Sequence, residues 1–177
     1  VWCGVSVGVI CSVVVTRKRS LLFGKVLVMT CFFGFVSPGL ADVAGSPRVI
    51  DGDTIIIGDT RIRLHGIDAP EQQQLCFSAG TAWPCGESAT AALKLMVQEH
   101  VIRCEGSKED RYGRLIGVCF AAGRNLNEAM VRAGWALAYR KYSKKYVAAE
   151  QKAVDGSLGI WRGDFVPPWE WRKKRRN

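Results

Sequence analysis

The stretch RVIDGDTIIIGDTRIRLHGI, residues 48–67, decides the fold. It contains three consecutive isoleucines, Ile55 to Ile57, followed by the alternating polar and apolar residues of RIRL at 61–64. Runs of β-branched residues and period-two alternation are both typical of strands, and the GDT segment at 58–60 supplies a turn. The sequence therefore predicts two strands joined by a short turn across this stretch.

Downstream of this stretch, the sequence predicts a second strand pair and three helices. Apolar residues at three- and four-residue spacing indicate the first helix, with Ser88 as its candidate cap. Asn125 followed by Glu128 gives a capping box at the start of the second helix, and Ser143 is the candidate cap of the third. The predicted elements are helices over 87–100, 125–134 and 143–156 and strands over 101–106 and 114–122.

The order of these elements predicts an α+β fold. Strands follow one another through short turns, and no strand–helix–strand alternation with a glycine-rich first turn occurs, which argues against a dinucleotide-binding fold. A small antiparallel β-barrel with helices packed outside it satisfies this order. Residues 159–177 are predicted to form a loop followed by a loose tail.

The net charge of +9 is concentrated at the two ends of the chain. Four basic residues and no acid occur in residues 1–41, and five more basic residues form RKKRR at 172–176. The remaining central part is near neutral, with 16 basic and 16 acidic residues. The basic tail is either a solvated end or a nucleic-acid contact, and its charge alone does not decide between the two.

Residues 1–41 have the pattern of a leader. A basic segment precedes an apolar run over 21–36 and small residues that end at Ala41, so cleavage is expected between Ala41 and Asp42. The apolar run is shorter than the about 20 residues of a usual membrane span. The sequence therefore predicts a secreted or periplasmic protein. Residues 1–15 form a second apolar stretch, which either lies upstream of the true start, since the chain does not begin with Met, or stays with the first as a membrane anchor.

Four of the seven cysteines lie beyond this leader, at Cys76, Cys85, Cys104 and Cys119. Cys104 and Cys119 are equidistant from the middle of the DRYG turn, so a simple hairpin would place them opposite each other. An oxidising compartment would favour a Cys76–Cys85 and a Cys104–Cys119 bridge, although four cysteines permit three pairings. A metal site is the alternative, but no CxxC motif occurs and neither histidine is near a cysteine pair.

Acidic residues and arginines dominate the places where the predicted loops meet the strands. No Ser-His-Asp order, CxxC motif or HExxH motif accompanies them. Carboxylates bind hard cations such as Ca²⁺, arginine binds phosphate through two parallel hydrogen bonds, and a further carboxylate can accept a proton from water. The set therefore suits a phosphate substrate and a hard cation. Its members are Asp51, Asp53, Arg63, Asp68, Glu71, Asp110, Arg111 and Arg114.

Four motifs follow one another along the chain: VIDGDT (49–54), RLHGIDAPE (63–71), DRYGR (110–114) and NLNEAMVRAGWA (125–136). In this order they resemble the staphylococcal nuclease family, over roughly residues 46–162. The resemblance implies a five-stranded OB-type barrel with about three helices packed outside it. It also implies Ca²⁺-dependent hydrolysis of DNA and RNA with low sequence specificity, which leaves 3′-phosphate ends.

The resemblance assigns a metal site to the first two motifs. Asp53 and Asp68 correspond to the carboxylates that hold Ca²⁺ in the family. The Ala69 carbonyl corresponds to a further ligand, and Thr54 to a residue that supports the water shell of the metal.

The resemblance also assigns catalytic and substrate-binding roles. Glu71 corresponds to the residue assigned as general base on the attacking water, and Arg63 and Arg114 correspond to the two arginines that hold the scissile phosphate. The positions that correspond to contacts with the nucleotide are Arg111, Tyr112 and Tyr139.

The chain is therefore predicted to contain a leader over 1–41, a nuclease-like OB-fold domain over 42–165 and a basic C-terminal tail over 166–177. DNA and RNA are the expected substrates, and the domain is expected to be a monomer that meets a membrane only if the leader is retained. The alternative function is a non-catalytic nucleic-acid or protein-binding module on the same barrel. The complete catalytic set favours the enzyme.

Overall fold

The computed structural model describes residues 41–176, so the predicted leader up to residue 40 lies outside the described part. The strands are β1 (Ala41–Gly45), β2 (Pro47–Asp51), β3 (Thr54–Ile57), β4 (Thr60–Leu64), β5 (Ile67–Asp68), β6 (Cys76–Ser78), β7 (Thr81–Trp83), β8 (Ile102–Glu109), β9 (Leu115–Ala121), β10 (Arg124–Asn125) and β11 (Leu137–Ala138). The helices are α1 (Cys85–Val97), α2 (Leu126–Arg132), α3 (Val147–Asp155) and α4 (Pro168–Lys174), with a 3₁₀ turn at Gly159–Arg162.

The main sheet closes on itself to form a barrel. Its strand order is β1-β8-β9-β4-β3-β2, and only Ser46 separates β1 from β2 in the sequence. The edge strands β1 and β2 are therefore parts of one continuous segment. Counted as one strand, they form with β3, β4, β8 and β9 the five-stranded OB-type barrel that the family resemblance implies. The α+β fold is confirmed.

The barrel interior is filled by the alternating side chains that the sequence pattern predicts. Ile55 and Ile57 of β3 and Ile62 and Leu64 of β4 are buried, and every second residue of β9 from Leu115 onward is buried as well. Because successive strand residues face opposite sides of the sheet, this period-two pattern places one apolar face of each strand in the core.

Two details of the strand prediction are wrong. The stretch 48–67 holds three strands of the barrel and the short β5, because the DGDT segment forms a second turn between β2 and β3. The barrel is also not fully antiparallel, because β4 and β9 run parallel, with Ile62 opposite Leu115. In a closed barrel with an odd number of strands, the neighbouring strands cannot all be antiparallel, so at least one parallel pair is required.

Of the three predicted N-caps, Asn125 of α2 forms, whereas Ser88 and Ser143 do not cap their helices. In α2, Asn125 Oδ1 accepts a hydrogen bond from the Glu128 amide at 3.0 Å, as the capping box predicts. Helix α1 begins two residues earlier than expected, since the Ser88 hydroxyl donates to the Pro84 carbonyl instead of capping. Helix α3 begins four residues later than expected, because Ser143 Oγ accepts from the Lys145 amide in a turn before it.

The prediction of a loose C-terminal tail is wrong. Residues 168–174 form helix α4, and the indole of Trp169 stacks on the ring of Tyr139 with centroids 5.3 Å apart. Gln74 Nε2 donates to the Val166 carbonyl at 2.6 Å, which fixes the segment that leads into the helix. The tail therefore folds back onto the domain.

Both expected disulfide bridges are present. Cys104 and Cys119 are direct partners across the β8–β9 hairpin and are bonded, and Cys76 is bonded to Cys85 at the start of α1. None of the helices within residues 41–176 is long and apolar enough to cross a membrane.

Candidate active site

Asp53 lies in the tight turn between β2 and β3, and its carboxylate points towards β5. The amide of Ala69 donates to Asp53 Oδ2 at 2.9 Å, and the Thr54 hydroxyl donates to Asp53 Oδ1 at 3.2 Å. Gly52 makes the close approach possible, because a Cβ atom at that position would lie 2.7 Å from the Cβ of Ala69. The DGD turn is therefore a packed part of the site.

Arg63 joins the two predicted metal carboxylates. Its Nη1 lies 2.5 Å from Asp53 Oδ2, and its Nη2 lies 2.7 Å from Asp68 Oδ1. The three side chains come from the β2–β3 turn, β4 and β5, and the side chain of Asp68 has no exposed surface. A guanidinium held between two largely buried carboxylates is a preorganised charge cluster, because hydrogen bonds between charged groups are stronger where the local dielectric is low.

Glu71 is held by a loop that packs against the start of α1. The Glu71 amide donates to Gln74 Oε1 at 3.2 Å, and the Gln74 amide donates back to the Glu71 carbonyl at 2.7 Å. A Cβ atom at Gly86 would lie 1.7 Å from the Glu71 carbonyl oxygen. Any other residue at position 86 would therefore displace the Glu71 backbone, although the φ angle of Gly86 itself is one that other residues adopt.

Arg172 of α4 completes the cluster, and the sequence analysis did not predict this role for it. Its Nη1 donates to Glu71 Oε1 at 2.6 Å and to Asp68 Oδ1 at 3.1 Å, and its Nη2 donates to Asp68 Oδ2 at 2.8 Å. One side chain from the predicted loose tail thus binds both the predicted base and a predicted metal ligand. It sits within a run of five basic residues that have no local periodicity, so only the fold distinguishes it.

Crowding of carboxylates alters their proton affinity. Burial and, to a smaller extent, the nearby Asp53 carboxylate together raise the pKa of Asp51 to about 6. Burial also raises the pKa of Asp68 to about 6, against the opposing effect of Arg172 and Arg63. Burial lowers the pKa of Arg63, but Asp53 and Asp68 outweigh it, so its pKa is raised overall. At neutral pH the cluster therefore consists of carboxylates and guanidiniums in their charged forms.

Arg114 lies next to this cluster in the barrel but faces a different partner. Leu115, which follows it, is opposite Ile62 on β4, one residue before Arg63. The Arg114 side chain pairs with Asp110, with Nε 2.7 Å and Nη2 2.6 Å from Asp110 Oδ2. The barrel therefore brings the Arg114 backbone alongside β4, while its guanidinium is directed to the β8–β9 turn.

The three predicted nucleotide contacts fall in two places. Tyr139 follows β11, whose Leu137 is opposite Asp68, and its amide donates to the Gly66 carbonyl at 2.9 Å, so it borders the carboxylate cluster. Arg111 and Tyr112 lie in the β8–β9 turn, where the Arg111 guanidinium donates to the Tyr112 hydroxyl at 2.6 Å. The exposed Tyr112 is on the Arg114 side of the cluster.

The donor chemistry of the cluster fits a hard divalent cation. Within residues 41–176, no three His, Cys, Asp or Glu side chains converge in a ready-made metal site, and the oxygens of Asp68 are held by guanidiniums instead. Asp53 and Asp68 nevertheless share Arg63, and Asp53 raises the pKa of Asp68. Two closely spaced carboxylates that repel each other offer the oxygen ligands that Ca²⁺ prefers, with carbonyl and water oxygens to complete its shell.

Comparison with known proteins identifies the relationship that this geometry suggests. The family model described as "Staphylococcal nuclease homologue" matches residues 61–163. The chain belongs to the staphylococcal nuclease family. The match spans β4, β5, the Glu71 loop, the Arg114 turn and the 3₁₀ turn, and it ends before α4. The Arg172 contact therefore lies outside the segment that defines the family.

Curated relatives cover most of the described domain. A protein of Rhizobium meliloti (strain 1021) named "Succinoglycan biosynthesis protein ExoI" is 39% identical over 140 residues, which are 77% of this chain and 71% of that protein. An "Uncharacterized endonuclease" of Escherichia coli O157:H7 is 38% identical over 144 residues, 76% of this chain and 88% of the relative. A "Micrococcal nuclease" of Shigella flexneri is 34% identical over 159 residues, 79% of this chain and 86% of the relative.

Family membership and relatives named as nucleases make this protein a nuclease, a hydrolase of nucleic acids.

The sequence analysis also missed two buried polar residues that position the site. Gln74 is fully buried and holds the Glu71 loop. Asn127 is fully buried and donates to the His65 carbonyl at 2.9 Å, which ties α2 to the end of β4. Both look like ordinary helix or loop polar residues in the sequence, so only their burial reveals them.

Proposed function

We propose that this nuclease is a Ca²⁺-dependent endonuclease that cleaves DNA and RNA with low sequence specificity and leaves 3′-phosphate ends. The observation that carries the proposal is the single cluster of Asp53, Asp68, Glu71 and Arg63 at the end of the barrel. It combines oxygen ligands for a cation, a carboxylate that can accept a proton and a guanidinium that can bind phosphate.

Asp53, Asp68 and the Ala69 carbonyl would hold the Ca²⁺, with Thr54 orienting Asp53 through its hydroxyl. Bound there, Ca²⁺ would supply positive charge close to the phosphate oxygens, where negative charge grows during the reaction. Asp51 adds a further carboxylate next to Asp53, and its oxygen accepts from the Asp53 amide at 3.0 Å. This arrangement keeps the Asp53 turn rigid while it carries a ligand.

Glu71 would take the proton from the attacking water. The water oxygen forms a bond to phosphorus, the bond from phosphorus to the 5′ oxygen breaks, and the 5′ oxygen takes a proton from solvent. The products are a 3′-phosphate end and a 5′-hydroxyl end, which is the expected outcome for this family. Glu71 lies at the rim of the cluster with part of its surface exposed, so water can reach it.

Arg63 and Arg114 would bind the nonbridging oxygens of the scissile phosphate. Preorganised donors of this kind typically contribute about 10²–10³ in rate. Arg114 pairs with Asp110 in the ligand-free protein, so we expect it to exchange that carboxylate for phosphate when substrate binds. None of the proposed contacts reaches a base edge, and low sequence specificity follows.

The test is digestion of single-stranded DNA and of RNA by the full-length protein with Ca²⁺ or with EDTA. We expect Ca²⁺-dependent cleavage of both substrates and a loss of about 10²–10³ in rate for Arg114→Ala. Arg103→Ala is the matched control, because it removes the same charge from an exposed β8 residue that pairs with Asp42. It should cleave like the unaltered protein.

Cleavage that persists unchanged in EDTA would contradict the Ca²⁺ requirement. Equal rates for Arg114→Ala and Arg103→Ala would contradict the role of Arg114. Tight binding of single-stranded DNA without turnover in either condition would favour the non-catalytic binding module.

We further propose that the protein acts in a secreted or periplasmic compartment. The Cys76–Cys85 and Cys104–Cys119 bridges support this, because disulfides persist in oxidising compartments. N-terminal sequencing of the protein recovered from the producing cell tests the proposal. A start at Asp42 is the expected result, and a retained leader in the membrane fraction would contradict release.

A further inference from the structure

Helix α4 covers the candidate active site at two points at once. Arg172 binds the carboxylates of Asp68 and Glu71, and three residues earlier Trp169 stacks on Tyr139 with an interplanar angle of 5°. Residues three apart lie on the same side of a helix, so both contacts come from one face. That face covers a predicted metal ligand, the predicted base and a predicted nucleotide contact together.

Arg172 uses the oxygens of Asp68 that a cation would need. Asp68 Oδ1 accepts from Arg63 Nη2 at 2.7 Å and from Arg172 Nη1 at 3.1 Å, and Asp68 Oδ2 accepts from Arg172 Nη2 at 2.8 Å. Both oxygens are therefore engaged by guanidinium groups. A cation that binds Asp68 has to displace at least one of these donors, and Arg172 is the more exposed of the two.

The negative charge of the carboxylates explains why the Arg172 guanidinium binds them, and why a cation could take its place. Within residues 41–176, the ion pairs of Asp53, Asp68 and Glu71 are made with Arg63 and Arg172, and Asp51 adds a fourth carboxylate next to Asp53. Without Arg172, four carboxylates would share the single guanidinium of Arg63 in this set. Buried carboxylates without a counter-charge are costly, and Arg172 offsets part of that cost in the ligand-free protein. A divalent cation would offset more of it at the same place.

Helix α4 is short, and besides its buried first residue, Pro168, it is held on the domain mainly by Trp169 and Arg172. It has seven residues, and isolated helices of that length are not stable in water. Beyond Arg172 and Trp169, Arg175 Nη1 donates to Gln73 Oε1 at 3.1 Å on the exposed surface. When the Arg172 and Trp169 contacts are lost, Pro168 still anchors the start of the helix, but the turn that carries Arg172 can move away from the carboxylates.

We propose that α4 is an autoinhibitory segment that occupies the metal and nucleotide parts of the site until Ca²⁺ and nucleic acid displace it. The inference rests on the proposed function, since it takes the Asp53–Asp68 cluster as the Ca²⁺ site. Ca²⁺ and nucleotide then assist each other, because each releases the same helix and reciprocal coupling follows from linkage. The basic tail would act as a counter-charge for the empty site.

Ca²⁺ binding to the full-length protein, measured by calorimetry without nucleic acid, tests the proposal. We expect Arg172→Ala to bind Ca²⁺ about tenfold more tightly than the unaltered protein, a coupling of ordinary size. Trp169→Ala should also bind more tightly, although Trp169 contacts no carboxylate in the cluster, because it weakens the same helix. Lys174→Ala is the matched control, since it removes the same charge from an exposed residue of α4 that forms no ion pair with the carboxylates, and its affinity should be unchanged.

Hydrogen exchange of the unaltered protein provides a second measurement that needs no variant. Amides of residues 169–174 should exchange faster when Ca²⁺ is saturating than in EDTA, whereas those of the barrel strands should not. This result decides the question even if Arg172→Ala does not fold.

Several outcomes would overturn the proposal. They are an unchanged or weaker Ca²⁺ affinity in Arg172→Ala, an equal gain in Lys174→Ala, or slower exchange of α4 with Ca²⁺. If the unaltered protein binds Ca²⁺ and cleaves while these outcomes occur, the proposed function stands and only the autoinhibitory helix fails. If neither the unaltered protein nor any variant binds Ca²⁺, the metal site and the autoinhibitory helix both fail.

Discussion

Arg172 on α4 binds both carboxylate oxygens of Asp68, a residue 104 positions earlier in the sequence, at 3.1 and 2.8 Å. The pairing joins α4 to β5, the third strand after the DGDT turn. It also means that the ligand-free site is already neutralised in part by the protein itself. The stability of the ligand-free protein and its cation binding are therefore linked through the same few charges.

Arg63→Lys tests the bridge between Asp53 and Asp68. Lysine keeps the positive charge but lacks the forked guanidinium that reaches both carboxylates and binds phosphate with two hydrogen bonds. We expect the cleavage rate to fall by about 10²–10³. Arg61→Lys, two residues earlier on the same strand and exposed, is the control and should retain full activity. Full activity in Arg63→Lys would show that charge alone suffices.

Gly86→Ala tests whether the start of α1 positions Glu71. The new methyl group would lie 1.7 Å from the Glu71 carbonyl oxygen, so the loop that carries the base has to move. We expect a large loss of cleavage in protein whose circular dichroism still shows a folded domain. Gly58→Ala is the comparison, since its Cβ meets nothing within 4 Å but its φ of +57° is strained. It should lower stability by about 1 kcal/mol and leave the cleavage rate unaltered. A normal rate in Gly86→Ala would contradict the positioning of Glu71.

Asp51→Asn should stabilise the protein in EDTA at neutral pH. Burial and Asp53 raise the pKa of Asp51 to about 6, so the folded state holds this proton more tightly than the unfolded chain does. Its contribution to stability is present at low pH and is lost as the pH rises through about 6. At pH 7.5, we expect the substitution to raise the unfolding temperature by about 3 °C, for a gain near 1 kcal/mol.

At pH 5 that gain should be smaller, and it should disappear only below about pH 3.8, where Asp51 is neutral in the unfolded chain as well as in the folded protein. Thermal unfolding at the two pH values measures the difference. Asp59→Asn, in the exposed turn between β3 and β4, is the control and should give no comparable gain. An equal gain for Asp51→Asn at pH 5 and pH 7.5 would rule out titration of Asp51 as its cause.

The two disulfides should differ in their effect on activity. Replacing Cys104 and Cys119 by serine opens a loop of 15 residues and should cost about 3 kcal/mol of stability while cleavage at low temperature continues. Replacing Cys76 and Cys85 by serine frees the first residue of α1 next to Gly86, so activity should fall together with stability. Unfolding curves and cleavage rates of the two double variants check this, and equal activity losses would contradict it.

Local signals predicted those features that local contacts determine. Asn125 caps α2 through the amide three residues on, and Cys104 meets Cys119 because both flank one hairpin. Asp53, Arg63 and Asp68 come together because two short turns connect the strands that carry them. The sequence analysis grouped these three residues through the family resemblance, and the structure shows the short connections that bring them together.

Features set by distant contacts could not be predicted from the sequence. The parallel pairing of β4 with β9 follows from barrel closure, which no single segment encodes. Helix α4 has only a weak local signal, because two prolines stand at its start and basic residues form its last turn. Its position on the domain depends on distant contacts with Tyr139, Asp68 and Glu71. The sequence likewise does not predict that the Arg114 side chain pairs with Asp110, because that pairing depends on which groups the fold places around it.

The most direct test of a Ca²⁺ site at Asp68 is the single-turnover cleavage rate of labelled single-stranded DNA over a range of Ca²⁺ concentrations. The unaltered protein should cleave only when Ca²⁺ is present. Asp68→Asn, which removes one charge from the fully buried ligand, should be slower by at least about 10² even at the highest Ca²⁺ concentration. Equal rates for the two proteins, or cleavage by the unaltered protein that does not depend on Ca²⁺, would contradict the account.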